Sequence, residues 1–374
     1  MSSVRLENII KYYEPTNLVG NEPRVPALDH ISLEIHDGET VSVVGPSGCG
    51  KSTFLKAIAG LEFPDSGQIF YNNGDVTHIP PQERGVGMVF QDYALYPSRE
   101  GQGNLSYYFE VRKKTEAEKE QRLRETAEMM GIGFDLLLSR NVDTLSGGER
   151  QRVGIARCIV RDPNVFLMDE PICNLDAKLR ERTRIEMKRL LTKFGITTIY
   201  VTHDQQEAIF MGDRIVVMRA GRVEQFDTFD ALYYTPANLF VASLIGTPPI
   251  SILRVQLGGD MLRSEDGTSW IIPHDLMNEL PAGALRLGIR PEGWLVSLQA
   301  GEGVPMNVTH IERLYTERAA FVHGNLAGSP VNALVSLDFA DVKQVFLQPD
   351  WERAYFFHAT EETPLRLPGV PDLF

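Results

Sequence analysis

The sequence predicts an α/β domain with a buried, largely parallel sheet, followed by an all-β domain. Three observations lead there. A short β-branched run, 41–44, ends in a glycine-rich loop that passes straight into a helix-forming stretch. Further short apolar runs at 85–91, 164–168 and 195–202 are separated by charged, helix-forming segments. Beyond Pro249 the character changes to short alternating runs divided by Gly, Pro and Asp turns.

The glycine-rich loop is the most informative stretch. Gly45-Pro46-Ser47-Gly48-Cys49-Gly50-Lys51-Ser52-Thr53 matches G-x-x-x-x-G-K-[ST], with a strand before it and a helix after it. Glycines let consecutive backbone N–H groups turn inward on a polyphosphate, and the following helix adds its positive N-terminal end. Lys51 would set a point charge on the outer phosphates, and the Ser52 hydroxyl would ligate Mg²⁺. The alternative is a glycine turn before an ordinary helix. A chance match in a chain this long has odds on the order of a per cent.

Composition narrows the classes. At 374 residues there is room for two domains or three, each with its own core. A formal charge of −13 argues against nucleic acid as the main partner, because phosphate backbones want a basic face. The three cysteines, at 49, 158 and 173, are far apart and form no C-x-x-C pair, as expected in a reducing compartment. Cys49 reads as a small filler of the loop that would make nucleotide turnover sensitive to alkylation. The first ten residues carry charges where a signal peptide would be apolar, and the stretch 239–253 is too short for a membrane span and is broken by Pro248-Pro249. A cytosolic protein that reaches a membrane only through a partner is expected.

Taken in order, residues 4–13 alternate as a strand ending in Tyr12 and Tyr13, and a polar loop runs from 14 to 26. An aromatic at 12 or 13 either stacks on an adenine or fills the core, and spacing alone favours the core. Residues 27–36 alternate again, and Asp37-Gly38 predicts a hairpin, so that an antiparallel ribbon feeds the phosphate-loop strand. Turn signals dominate 61–84, and the apolar run 85–91 closes on Gln91, whose amide can donate to a water and accept at a metal. Residues 107–131 are charged and helical, the mark of a solvated helix and of a helical subdomain inserted between strands.

Three constellations follow. In Leu145-Ser146-Gly147-Gly148-Glu149, Ser146 and Glu149 form a capping box that should open a helix ending near Arg161. Two glycines in its first turn leave bare N–H groups at a positive helix end, a second anion site. The apolar strand 164–168 ends in Asp169-Glu170, two acids suited to metal ligation and water activation: Asp169 for Mg²⁺, Glu170 as general base. The strand 195–202 delivers His203 to the ligand edge of an α/β sheet, and residues 204–207 look like the cap of another helix.

With these residues assembled, the chain resembles the ATP-binding cassette (ABC) family. The six elements are a Walker A loop at 45–53, a glutamine loop at Gln91, the LSGG signature at 145–151, a Walker B strand ending in Asp169-Glu170, a D-loop at Asn174-Leu175-Asp176 and a switch histidine at His203. It is most similar to the ATPase subunits of sugar importers of the maltose and glycerol-phosphate type, through stretches such as 89–97, 174–180, 236–241, 246–249 and 288–292. The resemblance implies a P-loop cassette (RecA-like core with antiparallel β and α-helical subdomains) over 1–240, the helical subdomain at about 92–160, and a C-terminal OB-like (TOBE) regulatory barrel over 241–374. It also implies ATP and Mg²⁺, with Ser52, Gln91 and Asp169 as metal ligands and Tyr13 in the adenine-stacking position. Two cassettes would close head to tail, so that Ser146, Gly147, Gly148 and Glu149 of one cap the γ-phosphate held by Lys51 of the other. His203 would fix that phosphate, and Gln91 would report its presence. The implied partners are a second ATPase subunit, two transmembrane permease subunits and an extracytoplasmic solute-binding protein. The protein would sit at the inner face of the membrane.

Some positions depart from the usual pattern. Glu149 stands where glutamine is commonest, Ile172-Cys173 replaces a small polar pair, and 98–104 replaces a more apolar segment near the permease contact. The implied function is ATP-driven uptake of a sugar-like solute. The alternatives are import of another solute (polyamine, iron or sulfate), a soluble cassette ATPase of DNA repair or translation, and a nucleotide-dependent scaffold. In the C-terminal third no basic-aromatic strip stands out, which favours a regulatory role over ligand binding.

Overall fold

A computed structural model describes residues 2–13, 25–131, 133–339 and 342–368. The polar loop expected at 14–26 lies almost wholly outside them. Two compact units divide between Thr228 and Phe229.

The first unit is built on a six-stranded sheet with spatial order Arg222–Asp227, Arg214–Arg219, Thr40–Val44, Thr197–Val201, Val165–Asp169, Val86–Val89. All its neighbours run parallel except the first pair, which is antiparallel. The burial of Thr40–Val44 and Thr197–Val201 along their whole length is what a parallel sheet covered on both faces requires. The helix Lys51–Ala59 leaves the central strand through the glycine loop and ends at Gly60, whose left-handed backbone closes the last turn.

A second, antiparallel sheet orders Pro26–Ile35, Val4–Tyr12, Ser66–Tyr71 and Gly74–Asp75. The hairpin expected at Asp37-Gly38 is not formed. Pro26–Ile35 pairs with Val4–Tyr12, whereas Thr40–Val44 pairs with strands of the other sheet. The turn chemistry is there, because the Glu39 N–H bonds the His36 carbonyl at 3.2 Å. It joins two sheets rather than two neighbours in one. Burial separates them: Pro26–Ile35 alternates buried and exposed positions, and Thr40–Val44 has no exposed position to offer.

The helices Gly101–Val111, Glu116–Met130, Phe134–Leu138 and Gly147–Ile159 gather over a separate apolar cluster that includes Leu105, Phe109, Phe134 and Val153. The helix Glu116–Met130 starts on a full capping box between Thr115 and Glu118. Arg84, almost fully buried, donates to the carbonyls of Ala57 and Ile58 at 2.9 and 2.8 Å, and so closes the end of the phosphate-loop helix. Nothing in its sequence context marks it for that task.

The second unit is all-β apart from short helices. Six strands order Ser269–Ile271, Met261–Ser264, Ser251–Gly258, Gly283–Ile289, Tyr355–His358, Pro364–Arg366. Five more order Trp294–Ser297, Gln344–Pro349, Val304–Leu314, Ala319–Leu326, Ser329–Ser336. One apolar cluster, with Leu253, Leu287, Val322 and Leu347 fully buried, draws on both sheets. Arg290 is 2% exposed. Its guanidinium lies 3.7 Å from the Tyr233 ring centroid and donates to the carbonyls of Tyr233 and Ile245, which ties the short helices Phe229–Tyr234 and Leu239–Leu244 to this unit. The importer-like stretch around 288–292 therefore has a packing purpose.

Candidate nucleotide site

The parallel strands deliver their C-terminal ends to one edge, and the residues singled out by chemistry meet there. At Gly45 an added Cβ would lie 2.2 Å from the Met218 carbonyl oxygen, which excludes any side chain. Gly50 is the N-cap of the helix Lys51–Ala59, and the Phe54 N–H bonds its carbonyl at 2.8 Å. Pro46, Ser47 and Gly48 form the loop's crest. Lys51, 7% exposed, donates to the Gly45 and Pro46 carbonyls at 2.7 and 3.1 Å, so its ammonium lies inside the curve of the loop. The loop thus presents backbone donors, a helix N-terminus and a cation to one small volume, the set that holds polyphosphate.

Cys49 takes no such part. Its side chain is buried, and burial pushes the thiol pKa up despite Lys51. A protonated, covered thiol is a poor nucleophile, so the alkylation sensitivity expected from the sequence is not supported.

Val165–Asp169 runs beside Thr197–Val201, with Asp169 level with Val201. The Ser52 hydroxyl donates to Asp169 Oδ1 at 3.3 Å, so the Walker A and Walker B ends touch directly. Burial raises the Asp169 pKa and the adjacent Glu170 charge raises it further, against the Ser52 hydrogen bond, Lys56 and Lys51. Two hard oxygen donors on a carboxyl destabilised in this way fit a divalent cation, which would relieve both causes.

Glu170 has a left-handed backbone, φ +47°, a conformation that costs a non-glycine residue about 1–3 kcal/mol. Its N–H bonds the Val201 carbonyl at 3.0 Å, which holds the turn in place. The turn brings Glu170 Oε2 to 3.1 Å from His203 Nδ1.

The positioning of His203 includes a group the sequence reading passed over. Asp204, not Glu207, caps the helix Gln205–Met211, accepting from the N–H groups of Gln206 and Glu207. Glu207 turns inward, 5% exposed, and accepts from the hydroxyls of Tyr200 and Thr202 on either side. Burial pushes its carboxyl up, and the Asp204 charge adds to this, opposed by the two hydroxyls. The Asp204 N–H bonds Thr202 Oγ1 at 3.0 Å, so both residues flanking His203 are fastened to one buried acid network. A glutamate inside a helix cap gives no sequence signal of burial.

Gln91 follows the strand Val86–Val89 by two residues. It is exposed; its carbonyl accepts from Asn174 Nδ2 at 3.1 Å, and its side chain reaches the Cys173 thiol. Its described contacts are with the segment leading to the D-loop. Asp176 itself caps the helix Ala177–Phe194, accepting from the Leu179 N–H at 3.0 Å.

The signature helix Gly147–Ile159 starts on the expected capping box, Ser146 N–H to Glu149 Oε2 at 2.7 Å and Glu149 N–H to Ser146 Oγ at 3.4 Å. Arg140 also binds Glu149 Oε1 at 2.8 Å. The Ser146 backbone bond is the main cause that lowers the Glu149 pKa. Glutamate at this position therefore strengthens the cap. Gly147 packs toward Leu175 and Gly148 toward Leu179, so bulk at either would press on the D-loop helix.

Tyr12 and Tyr13 are 37% and 45% exposed, so neither fills the core as spacing alone suggested. The Tyr13 hydroxyl lies 3.4 Å from Thr53 Oγ1, which sets an open aromatic face beside the phosphate loop.

A parallel sheet with a phosphate loop and an acidic strand tip at one edge defines a P-loop ATPase. The comparisons carry this further. Residues 28–173 match the sequence model described as ABC transporter. The chain is 42% identical over 337 residues, 90% of each protein, to the sn-glycerol-3-phosphate import ATP-binding protein UgpC of Ruegeria sp.. It is 40% identical over 356 residues to the maltose/maltodextrin import ATP-binding protein MalK of Photobacterium profundum, covering 94% of this chain and 90% of that one. Among solved structures, an ATP-binding cassette dimer in a post-hydrolysis state with ADP and Pi superimposes with a TM-score of 0.51 at 32% identity, over 60% of this chain and 98% of that one. The chain belongs to the ABC transporter family, as an ATP-binding ATPase subunit of the import type. Among the described residues no helix is long and apolar enough to cross a membrane.

Proposed function

We propose that this protein hydrolyses ATP to drive uptake of a sugar or sugar-like solute through a separate membrane permease. The observation that carries the reading is the paired contact at the sheet edge, Ser52 with Asp169 and Glu170 with His203. The loop 45–53 binds the phosphates and Lys51 neutralises their outer charge. Tyr13 stacks on the adenine. Ser52 and Asp169, with Gln91, would hold Mg²⁺, which when bound offsets charge on the outer phosphates.

Glu170 takes the proton from the attacking water, and His203 orients Glu170 and contacts the γ-phosphate. The contact of the Glu170 carboxylate with His203, rather than with Ser52, supports a base distinct from the metal-holding Asp169. Two copies close head to tail, with Ser146, Gly147, Gly148 and Glu149 of one protomer on the γ-phosphate bound by its partner, and Asp176 near the seam. The bare N–H groups in the first turn of the signature helix support this pairing. Gln91, tied to Asn174, relays nucleotide occupancy to two permease subunits fed by an extracytoplasmic binding protein, with this chain at the cytoplasmic face. The first unit, up to Thr228, forms the cassette, a shorter span than the 1–240 expected, and the unit from Phe229 on forms an OB-like regulatory domain. The import names of the relatives support a sugar or glycerol-phosphate-like solute over a polyamine, iron or sulfate.

The test is Glu170→Gln with radiolabelled ATP. The variant should retain ATP and form a dimer while steady turnover falls by about 10²–10⁴-fold. Wild-type turnover would remove Glu170 as the base. Purification of the intact protein from membranes should recover two permease subunits, and recovery with nucleic acid alone would overturn the transport reading.

A further inference from the structure

In the all-β unit, positive charge gathers on one sheet face. Arg254 and Arg286 sit directly opposite each other on neighbouring antiparallel strands, Ser251–Gly258 and Gly283–Ile289. Such a pair shares one face of the sheet, with Cβ atoms roughly 5 Å apart, and like charges there repel. On the other flank, Arg263 stands opposite Gln256, which lies on the same face as Arg254. The three arginines and Gln256 line one groove.

None of the three forms an ion pair among the described residues. Arg286 Nε donates to the Ala359 carbonyl at 3.0 Å, which leaves its two terminal nitrogens for other acceptors. Arg263 has a sulfur contact with Met261 at 3.8 Å. Glu265 also lines the groove, outside ion-pair distance of all three. A protein with a formal charge of −13 has carboxylates to spare. Three guanidinium groups gathered on one sheet face, with no carboxylate at ion-pair distance among the described residues, form an arrangement that an anion would stabilise.

We propose that this groove binds a small phosphorylated metabolite, with Arg254, Arg263 and Arg286 on the phosphoryl group and Gln256 on the neighbouring hydroxyls. Three consecutive strands spaced about 4.8 Å apart present the donors across roughly 10 Å. That span suits a tetrahedral dianion approached from several sides, and planar guanidinium forks pair with its oxygens two at a time. The site belongs wholly to the second unit and does not depend on the nucleotide chemistry proposed above.

The experiment is calorimetric titration of the full-length protein, preloaded with ADP to fill the phosphate loop, using ribose 5-phosphate, inorganic phosphate and ribose as probes. Ribose 5-phosphate should bind once per chain, inorganic phosphate should bind in competition with it, and ribose should not bind. Arg254→Gln/Arg286→Gln should weaken ribose 5-phosphate by about tenfold or more, and Arg254→Lys by less, since it keeps charge but loses the fork. An unchanged thermal unfolding profile of the double variant certifies the fold of the second unit. Lys51→Ala should leave the affinity intact. The proposal is overturned by equal affinity in wild type and double variant, by loss of binding in Lys51→Ala, or by a response to acidic peptide alone with none to either phosphate at about millimolar concentration.

Discussion

His203 Nδ1 lies 3.1 Å from Glu170 Oε2, across the ends of two neighbouring parallel strands. The two residues are 33 positions apart in the chain, and their meeting depends on the register that sets Asp169 beside Val201. An imidazole at that distance can orient a carboxylate and still reach a phosphate beyond it.

His203→Ala should therefore act on the chemical step. The kcat should fall by about 10²–10³-fold, as when one preorganised transition-state contact is removed, with the KM for ATP little changed. Phosphate-release kinetics on the variant decide it, and a raised KM with kcat intact would assign His203 to ground-state binding.

The phosphate loop makes a sharper demand at one glycine than at another. An alanine at 45 meets the Met218 carbonyl, whereas at 48 no atom lies within 4 Å and only the positive φ, +77°, opposes it. Gly48→Ala should cost about 1–2 kcal/mol of stability and keep measurable ATP binding. Gly45→Ala should lose it. Equilibrium dialysis with labelled ATP separates the two, and equal binding by both variants would mean that the loop relaxes freely.

Tyr13 offers a ring and a hydroxyl, and the two can be told apart. Tyr13→Ala should weaken ATP by about 1–3 kcal/mol if the ring stacks on adenine, and Tyr13→Phe by much less. Replacing Tyr12 should matter little, since the contact with Thr53 belongs to Tyr13. Nucleotide competition with GTP provides the readout. If Tyr13→Ala bound ATP like the wild type, stacking would be excluded.

Glu207 links the site to pH. Its folded pKa lies above the ordinary 4.5, so the folded state holds its proton more tightly than the unfolded state does. The contribution of Glu207 to stability is thus fully present below about 4.5 and declines as pH rises toward the folded value. Glu207→Gln, which carries no titrating proton, should lose ground to the wild type at pH 4 and recover it by pH 8. Urea midpoints at the two pH values test the sign, and a gap that widened toward pH 8 would refute it.

The reach of the sequence differed from residue to residue. The phosphate loop, the acidic strand tip and the capping box at Ser146 were legible because each is a local device. Glycine torsions, a strand followed by charge, and a side chain three residues from its backbone partner all act within a few positions. The Asp37-Gly38 turn is equally local: its chemistry predicts a turn, which forms, and a hairpin, which does not. Turn chemistry does not choose which sheet receives the next strand. The absence of any exposed position from 40 to 44 does, since such a strand needs cover on both faces.

Local order thus determined that this chain would grip a polyphosphate and place two acids at a strand end. Tertiary structure alone decided that Glu207 turns inward between Tyr200 and Thr202, that Gln91 faces the 172–174 segment, and that Arg254 and Arg286 stand side by side. Each of those relations spans strands or turns whose partners are chosen by burial and register. A side chain's neighbours across a sheet follow from the whole core, which no short stretch of sequence contains.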